Sequence, residues 1–290
     1  MMKQSESIRK NVIKTPYISH DYSNLLCLIA HNNSEDLVES IWNLVFSFFL
    51  FKSLTYVGWM PAASLDSKLT DDEEYLVLLM VHLKGVTTFN THKMSEMVSC
   101  LGGLLKTEEI GLAIRPSVAL LNHSCWPNTV RCTNGSDVVI MATFTIQPGE
   151  EVTDIYTESF HEITKEARQT KCSSYKFTCT CQACKEDWPQ LNQLPSSLLK
   201  TQQNMFVKHL SVSMVVKLGE VLNAADREAK KLFSSGQTIQ ALAVWREMCV
   251  LAETRIKHPS RIFIIIRDSI QACLWRLYGT SKYEVRECTR

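Results

Sequence analysis

The chain has 290 residues, 45% of them hydrophobic and 21% charged, which fits one or two globular domains with a sizeable core. Its 31 basic and 30 acidic residues leave a net charge of +1, which excludes a global field that would attract nucleic acid or an anionic membrane. The 11 cysteines are an odd number, and no signal segment is recognisable, so a disulfide framework fits poorly. We expect a reduced, intracellular protein, cytoplasmic, nuclear or both.

The first third of the chain is predicted to be helical. Ser34, followed by two acidic residues, has the pattern of an N-cap and predicts a helix over about 35–53. Thr70 and Glu73 have the spacing of a capping box and predict a second helix that ends near Lys84.

The apolar stretch 41–51 in the first helix raises the question of a membrane. It has about half the length that a bilayer span requires, and Asn43 and Ser47 interrupt it. We therefore expect a buried helix and no membrane partner.

The middle of the chain is predicted to be rich in β-structure. Residues 112–115 have the pattern of a short strand, and residues 129–133 and 138–143 flank Asn134-Gly135, a strong hairpin signal. After a Pro-Gly turn, residues 151–156 predict another strand.

The rest of the chain returns to helical patterns. Ser159 and Glu162 predict the start of a helix over about 160–171, again by capping-box spacing. Residues 190–197, with two prolines among polar residues, are typical of a linker. Three further helices are predicted within a region of about 198–280, at residues 224–233, 239–256 and 262–278.

Cys179, Cys181 and Cys184 are three thiols within six residues. Such a cluster leaves one vertex of a tetrahedral zinc site open, and a distant cysteine usually fills it, which makes Cys125 the candidate fourth ligand. The alternative is a set of free or buried thiols, which the close spacing disfavours because an isolated cysteine usually behaves as a small hydrophobe. The pattern predicts a Zn²⁺ site.

Cys125 lies in the heptapeptide Asn-His-Ser-Cys-Trp-Pro-Asn at 122–128. This segment resembles the signature of SET-domain protein lysine methyltransferases, and with the later triplet it is similar to the SET-and-MYND subfamily. Residues 89–92, 149–156 and 175–177 resemble further segments of that family. In the family, the Asn-His pair meets S-adenosylmethionine and the cysteine joins a post-SET triplet on zinc.

The resemblance implies an α+β fold: a β-rich SET-type core with a helical insertion, a post-SET zinc loop and an all-α, tetratricopeptide-like C-terminal domain. We expect a helical SET insertion region at 1–110 and the C-terminal half of the SET core at 111–160. A post-SET zinc-binding segment would follow at 161–189, and the helical C-terminal domain at 198–280.

The resemblance also assigns roles to individual residues. Tyr156 would be the catalytic tyrosine of the lysine channel and Tyr175 its second wall, although Tyr175 could instead simply pack beside the zinc loop. Alternatively, Asn122 could only stabilise a turn, and His123 could be a histidine of the core with its hydrogen bonds satisfied. The resemblance implies that four residues bind S-adenosyl-L-methionine: Asn90, Asn122, His123 and Phe177.

Two features of the family are missing from these 290 residues. None of the ten glycines makes a Gly-x-Gly pair, although the family uses that segment to approach the methionine end of the cofactor. Only Cys27 and Cys100 precede Cys125, too few for a MYND zinc finger. We therefore expect a truncated SET protein with little activity by itself.

The implied function is S-adenosylmethionine-dependent methylation of protein lysines, with a histone or non-histone protein or peptide as substrate. The alternative is a non-catalytic, zinc-stabilised interaction module derived from a SET protein, whose helical C-terminal domain could bind peptides. A zinc scaffold unrelated to SET chemistry would leave the heptapeptide and Tyr156 unexplained. Direct nucleic-acid binding is not expected.

Overall fold

The computed structural model describes residues 23–31, 37–60, 68–99, 105–134, 137–195 and 211–279. The chain divides into two compact units, the first formed by Met1–His92 with Leu112–Leu120, and the second by Lys93–Gly111 with Leu121–Arg290. The predicted cap at Ser34 and the glycine of the predicted Asn134-Gly135 turn lie outside the described residues.

The first unit is helical, as its sequence predicts. It contains α1 (Ser23–Leu26), α2 (Leu37–Tyr56), α3 (Asp71–Asn90) and α4 (Pro116–Ala119). The capping box that precedes α3 is formed, with Thr70 and Glu73 each bonding the backbone of the other. Helix α3 runs six residues beyond the predicted end because Val86 is buried in a small core with Leu28 and Ala30. Tertiary packing there overrides the weak helix propensity around Gly85.

Helix α2 differs from the expected buried helix. Only Ser47, Phe51 and Thr55 are buried, whereas Trp42 and Phe49 are more than two-thirds exposed. The sequence is apolar around the whole circumference, so packing against α3 covers only one stripe of it. At 20 residues, α2 is also longer than the apolar stretch suggested, and by length and composition it is the one helix of the described ranges that could cross a membrane. Length and composition alone are weak grounds for a membrane span.

Three two-stranded sheets follow in the part of the chain that the structure describes. Strands β1 (Thr91–Ser99) and β2 (Leu105–Ile114) pair with each other, although the sequence predicted only the end of β2. Strands β3 (Asn122–His123) and β6 (Thr153–Asp154) pair in parallel. Strands β4 (Thr129–Asn134) and β5 (Asp137–Ala142) form the predicted antiparallel hairpin. The strand predicted at 151–156 is therefore only two residues long.

The post-SET helix begins later than predicted. Helix α5 spans Lys165–Ser174 and is capped by Thr164, whose hydroxyl accepts a hydrogen bond from the Ala167 N–H. At the predicted cap, the Ser159 hydroxyl instead donates to the Cys125 carbonyl at 3.2 Å. Phe160 is buried, and its N–H also donates to that carbonyl. Residues 160–163 are consequently held as a turn, and a short helix α6 (Gln182–Lys185) follows within the cysteine segment.

In the described residues, the C-terminal region has three helices, α7 (Val212–Ser234), α8 (Thr238–Arg255) and α9 (Arg261–Tyr278). Helices α8 and α9 lie close to the predicted bounds, whereas α7 begins at Val212, well before the predicted start at residue 224. Their apolar faces pack against the β4–β5 hairpin, and this core includes Val130, Phe144, Trp245 and Ile270. Residues 190–194 are not a free linker, because Leu194 is buried and Arg261 of α9 donates to the Leu191 carbonyl.

Candidate metal centre and aromatic site

Four cysteine thiols converge in the second unit. The sulfurs of Cys125, Cys179, Cys181 and Cys184 all lie within 4.8 Å of one another, and three of these residues are buried. The Cys125 Sγ lies 3.8 Å from the Cys179 Sγ and 3.5 Å from the Cys184 Sγ. With zinc–sulfur bonds of about 2.3 Å, a regular tetrahedron has sulfur–sulfur edges of about 3.8 Å. The four thiols fit a tetrahedral metal ion, so the cluster could hold one.

The local electrostatics favour negative charge on the sulfur of Cys181, whereas hydrogen bonds with Cys179 and Cys181, together with burial, raise the pKa of Cys125. Hydrogen bonds from Cys125 and Cys179 lower the pKa of Cys181, which favours the thiolate, the form that binds metals. The fully buried Arg168 of α5 lies beside the cluster, with its Nη2 3.9 Å from the Cys184 Sγ. Burial alone would lower the pKa of Arg168, but its hydrogen bond to Cys184 and the charges of Cys125 and Cys184 raise it. The guanidinium thus stays charged next to the thiols.

The heptapeptide is fixed at both ends by the β3–β6 pair and a neighbouring loop. Asn122 pairs with Thr153, and the Ser124 N–H donates to the Asp154 carbonyl at 2.9 Å. The Asn128 side chain accepts a hydrogen bond from the Thr153 N–H and donates to the Glu151 carbonyl. These bonds hold the segment that leads to Tyr156 against the segment that carries Cys125.

His123 uses both of its ring nitrogens within the protein. Its Nδ1 accepts a hydrogen bond from the Tyr156 N–H at 3.0 Å, and its Nε2 lies 3.4 Å from the Cys125 Sγ. Burial lowers the pKa of His123 to about 4, an effect that Cys181 opposes and Arg168 reinforces. The imidazole is therefore neutral at physiological pH.

Aromatic side chains surround Tyr156. The rings of Tyr175 and Phe177 lie 5.6 and 6.3 Å from the Tyr156 ring, and that of His123 lies 5.3 Å away. The Tyr156 hydroxyl donates to the Leu121 carbonyl at 2.5 Å. Burial, together with the charge of Asp154, raises the pKa of Tyr156, so its phenol is a hydrogen-bond donor rather than a base.

The two remaining predicted residues have other surroundings. Asn122 is exposed and donates to the Glu151 carboxylate at 2.6 Å. Asn90 ends α3 in the first unit, where its amide donates to the carbonyls of Ile29 and Val86. Their predicted contacts with a cofactor remain predictions.

Sequence reasoning missed four residues that shape this site. Asn128 stands in the heptapeptide and could have been found from that motif. Arg168 gave no signal because a single arginine has no informative spacing. The buried pair of Arg131 and Asp154 next to β3 likewise becomes visible only once β4 and β6 are neighbours.

A model of the SET domain family matches residues 6–157 of the chain, just over half of its length. The chain therefore belongs to the SET domain family.

Its relatives define the subfamily. Human N-lysine methyltransferase SMYD2 is 40% identical over 90 residues, which cover 30% of this chain and 21% of the human protein. The bovine protein of the same name gives the same values, and the chicken one is 39% identical over 90 residues, 30% of this chain and 20% of its own. The match thus spans about a fifth of the length of these relatives, and the protein is a SET protein of the SMYD type.

Proposed function

We propose that this protein is an S-adenosylmethionine-dependent protein-lysine methyltransferase. The observation that carries the proposal is the grouping of Tyr175, Phe177 and His123 of the SET heptapeptide around Tyr156. Aromatic walls suit a lysine side chain, because they cover its apolar stem and attract an ammonium group at its end. The relatives are named as N-lysine methyltransferases, which supports the same reaction and a protein substrate.

The residues present would act mainly by positioning. When bound, S-adenosylmethionine would supply the methyl group for an in-line displacement by the lysine amine. Tyr156 and Tyr175 would flank the lysine amine. Loss of water around the amine between the two rings would lower the pKa of the lysine and favour its neutral form. The Tyr156 hydroxyl would orient the amine, and the proton would pass to water because that phenol is a poor base. Asn122, His123 and Phe177 would contact the cofactor, the His123 contact coming from its backbone.

Methyl transfer from labelled S-adenosylmethionine to lysine peptides tests this proposal. Tyr156→Phe removes the orienting hydroxyl and should lower turnover about 100-fold, the scale of a misplaced reactant. Tyr278→Phe, an exposed tyrosine on α9, is the matched control and should leave turnover unchanged. Equal turnover of Tyr156→Phe and the parent chain, both well above the rate without protein, would contradict the proposed role of Tyr156.

A non-catalytic interaction module is the second candidate. These 290 residues contain no Gly-x-Gly pair, and a SET site without that backbone contact would lose two or three hydrogen bonds at about 1–1.5 kcal/mol each, which would weaken cofactor binding by tens- to thousands-fold. The C-terminal helices, which could be tetratricopeptide-like, would then bind a peptide. Calorimetry with S-adenosylmethionine separates the candidates: a folded, metal-loaded chain without cofactor binding or transfer would support the module.

We further propose that the ion of the four-cysteine cluster is Zn²⁺, because four thiolates in tetrahedral geometry are typical of structural zinc sites. The purified protein should contain about one equivalent of zinc, and Cys181→Ser should lose most of it. Cys132→Ala, which changes a buried cysteine of the β4–β5 hairpin, should retain the metal. Unchanged zinc content in Cys181→Ser would show that the metal lies elsewhere.

A further inference from the structure

His123 links the cysteine cluster to the backbone of Tyr156. Its Nδ1 accepts the Tyr156 N–H at 3.0 Å, and its Nε2 lies 3.4 Å from the Cys125 Sγ. A backbone N–H can only donate, so Nδ1 carries no proton and the neutral ring carries its proton on Nε2. The Nε2–H therefore donates to the sulfur of Cys125.

We propose that His123 is a positioning residue through which the four-cysteine cluster sets the place of Tyr156. When the Cys125 sulfur binds a metal ion together with the other three cysteines, its position is fixed. Its hydrogen bond to His123 then fixes the imidazole ring. The other nitrogen of that ring then fixes the Tyr156 N–H, and the ring itself lies 5.3 Å from the Tyr156 ring and 5.8 Å from that of Phe177. For its catalytic consequence, this inference rests on the proposed function of Tyr156.

Arg168 offers a matched control at the same cluster. It donates to the Cys184 Sγ at 3.9 Å and to the carbonyls of Phe160 and Ile163, and it also interacts with Cys125. Both residues thus donate to a cluster sulfur, but only His123 also holds Tyr156. Changes at either residue should speed metal loss, whereas only a change at His123 should move Tyr156.

The test uses the full chain with ¹⁵N-labelled tyrosine, loaded with zinc, and the Tyr156 amide signal is identified by its absence in Tyr156→Phe. His123→Phe keeps a ring for packing but removes both nitrogens, and Arg168→Lys is the control. We expect both variants to release zinc to a chelator about 10-fold faster or more, as is common when a residue that supports a ligand is changed. The Tyr156 amide signal should shift in zinc-loaded His123→Phe and stay in place in zinc-loaded Arg168→Lys.

Removing the metal with a chelator gives a second test, which needs no substitution. Removing zinc from the parent chain should shift the Tyr156 amide signal, and the ¹⁵N shifts of the His123 ring should show the Nε2–H form. An Nδ1–H ring, a Tyr156 signal that is unchanged by chelation, or one that is unchanged by His123→Phe would each overturn the inference. None of these measurements uses methyl transfer, so a failure of the proposed function would leave them interpretable.

Discussion

Asp154 takes part in both an ion pair and a backbone hydrogen bond of the site. Its carboxylate is almost fully buried and pairs with Arg131 of β4, while its carbonyl accepts the Ser124 N–H of the heptapeptide. A buried ion pair contributes little net stability, but removing one partner leaves the other charge uncompensated. The pair therefore matters most for keeping β3, β4 and β6 in their present arrangement.

We expect Asp154→Asn to lower the free energy of unfolding by about 2–3 kcal/mol, because the partly buried Arg131 would remain charged without its partner. Urea unfolding at neutral pH measures the change. The control is Glu109→Gln, which breaks the exposed pair with Lys93 and should cost at most about 0.5 kcal/mol. Equal, small effects of the two substitutions would show that the Arg131–Asp154 pair is compensated by solvent.

The convergence of the four cysteines could be predicted from sequence because clustered thiols have few alternative explanations. The aromatic grouping at Tyr156 could be predicted only through a family resemblance, since a lone tyrosine has no pattern. The side-chain bonds of His123 and Asn128 could not, because they depend on the register of β3 against β6.

At the level of elements, the two capping boxes predicted from sequence had opposite outcomes. Thr70 and Glu73 form theirs, and the threonine hydroxyl accepts the Glu73 N–H. Ser159 keeps only half of the pattern: the Glu162 carboxylate accepts the Ser159 N–H, but the Ser159 hydroxyl bonds the Cys125 carbonyl. Thr164 caps the helix instead. Long-range contacts of this kind decide where an element begins, and local spacing does not reveal them.

Helix α5 should depend on Thr164. Its hydroxyl accepts the Ala167 N–H at 3.3 Å, and Thr164→Ala should cost about 1 kcal/mol of stability in urea unfolding. Because α5 carries Arg168 beside the cluster, zinc release to a chelator should also become faster. Thr170→Ala, at an exposed position of the same helix, should change both quantities little. A Thr164 variant that matches the Thr170 variant would mean that the turn at 160–163 holds α5 without its cap.

Patterned elements were predicted well, and irregular ones were not. The β4–β5 hairpin, α8 and α9 lie close to the expected bounds, whereas α7 was predicted only in its C-terminal half. Strand β1 mixes polar and apolar residues without alternation, so nothing in residues 91–99 indicated it. The apolar helix α2 was predicted as a helix, but its exposure was not. That exposure arises because little of the first unit packs against α2.

At the scale of the whole molecule, the second unit contains two neighbouring cores. One joins the β4–β5 hairpin to the C-terminal helices, and the other surrounds the cysteine cluster. Trp126 of the heptapeptide packs against both, and α9 contributes Phe263 to the first and Ile264 to the second. The helical region and the metal-binding segment should therefore unfold together.

Ile264→Ala tests this coupling, because Ile264 is 3% exposed and packs with Phe160 and the cysteines although it belongs to α9. Removing a buried side chain of this size leaves a cavity and should cost about 3 kcal/mol. We expect the helical circular dichroism signal and the release of zinc to shift to lower temperature by the same amount, since metal binding and folding are one equilibrium in such a unit. Ile239→Ala, at an exposed position of α8, should move neither transition. If the helices of Ile264→Ala melted earlier while zinc release kept its original midpoint, the two cores would be independent, and the cysteine segment would fold without support from α9.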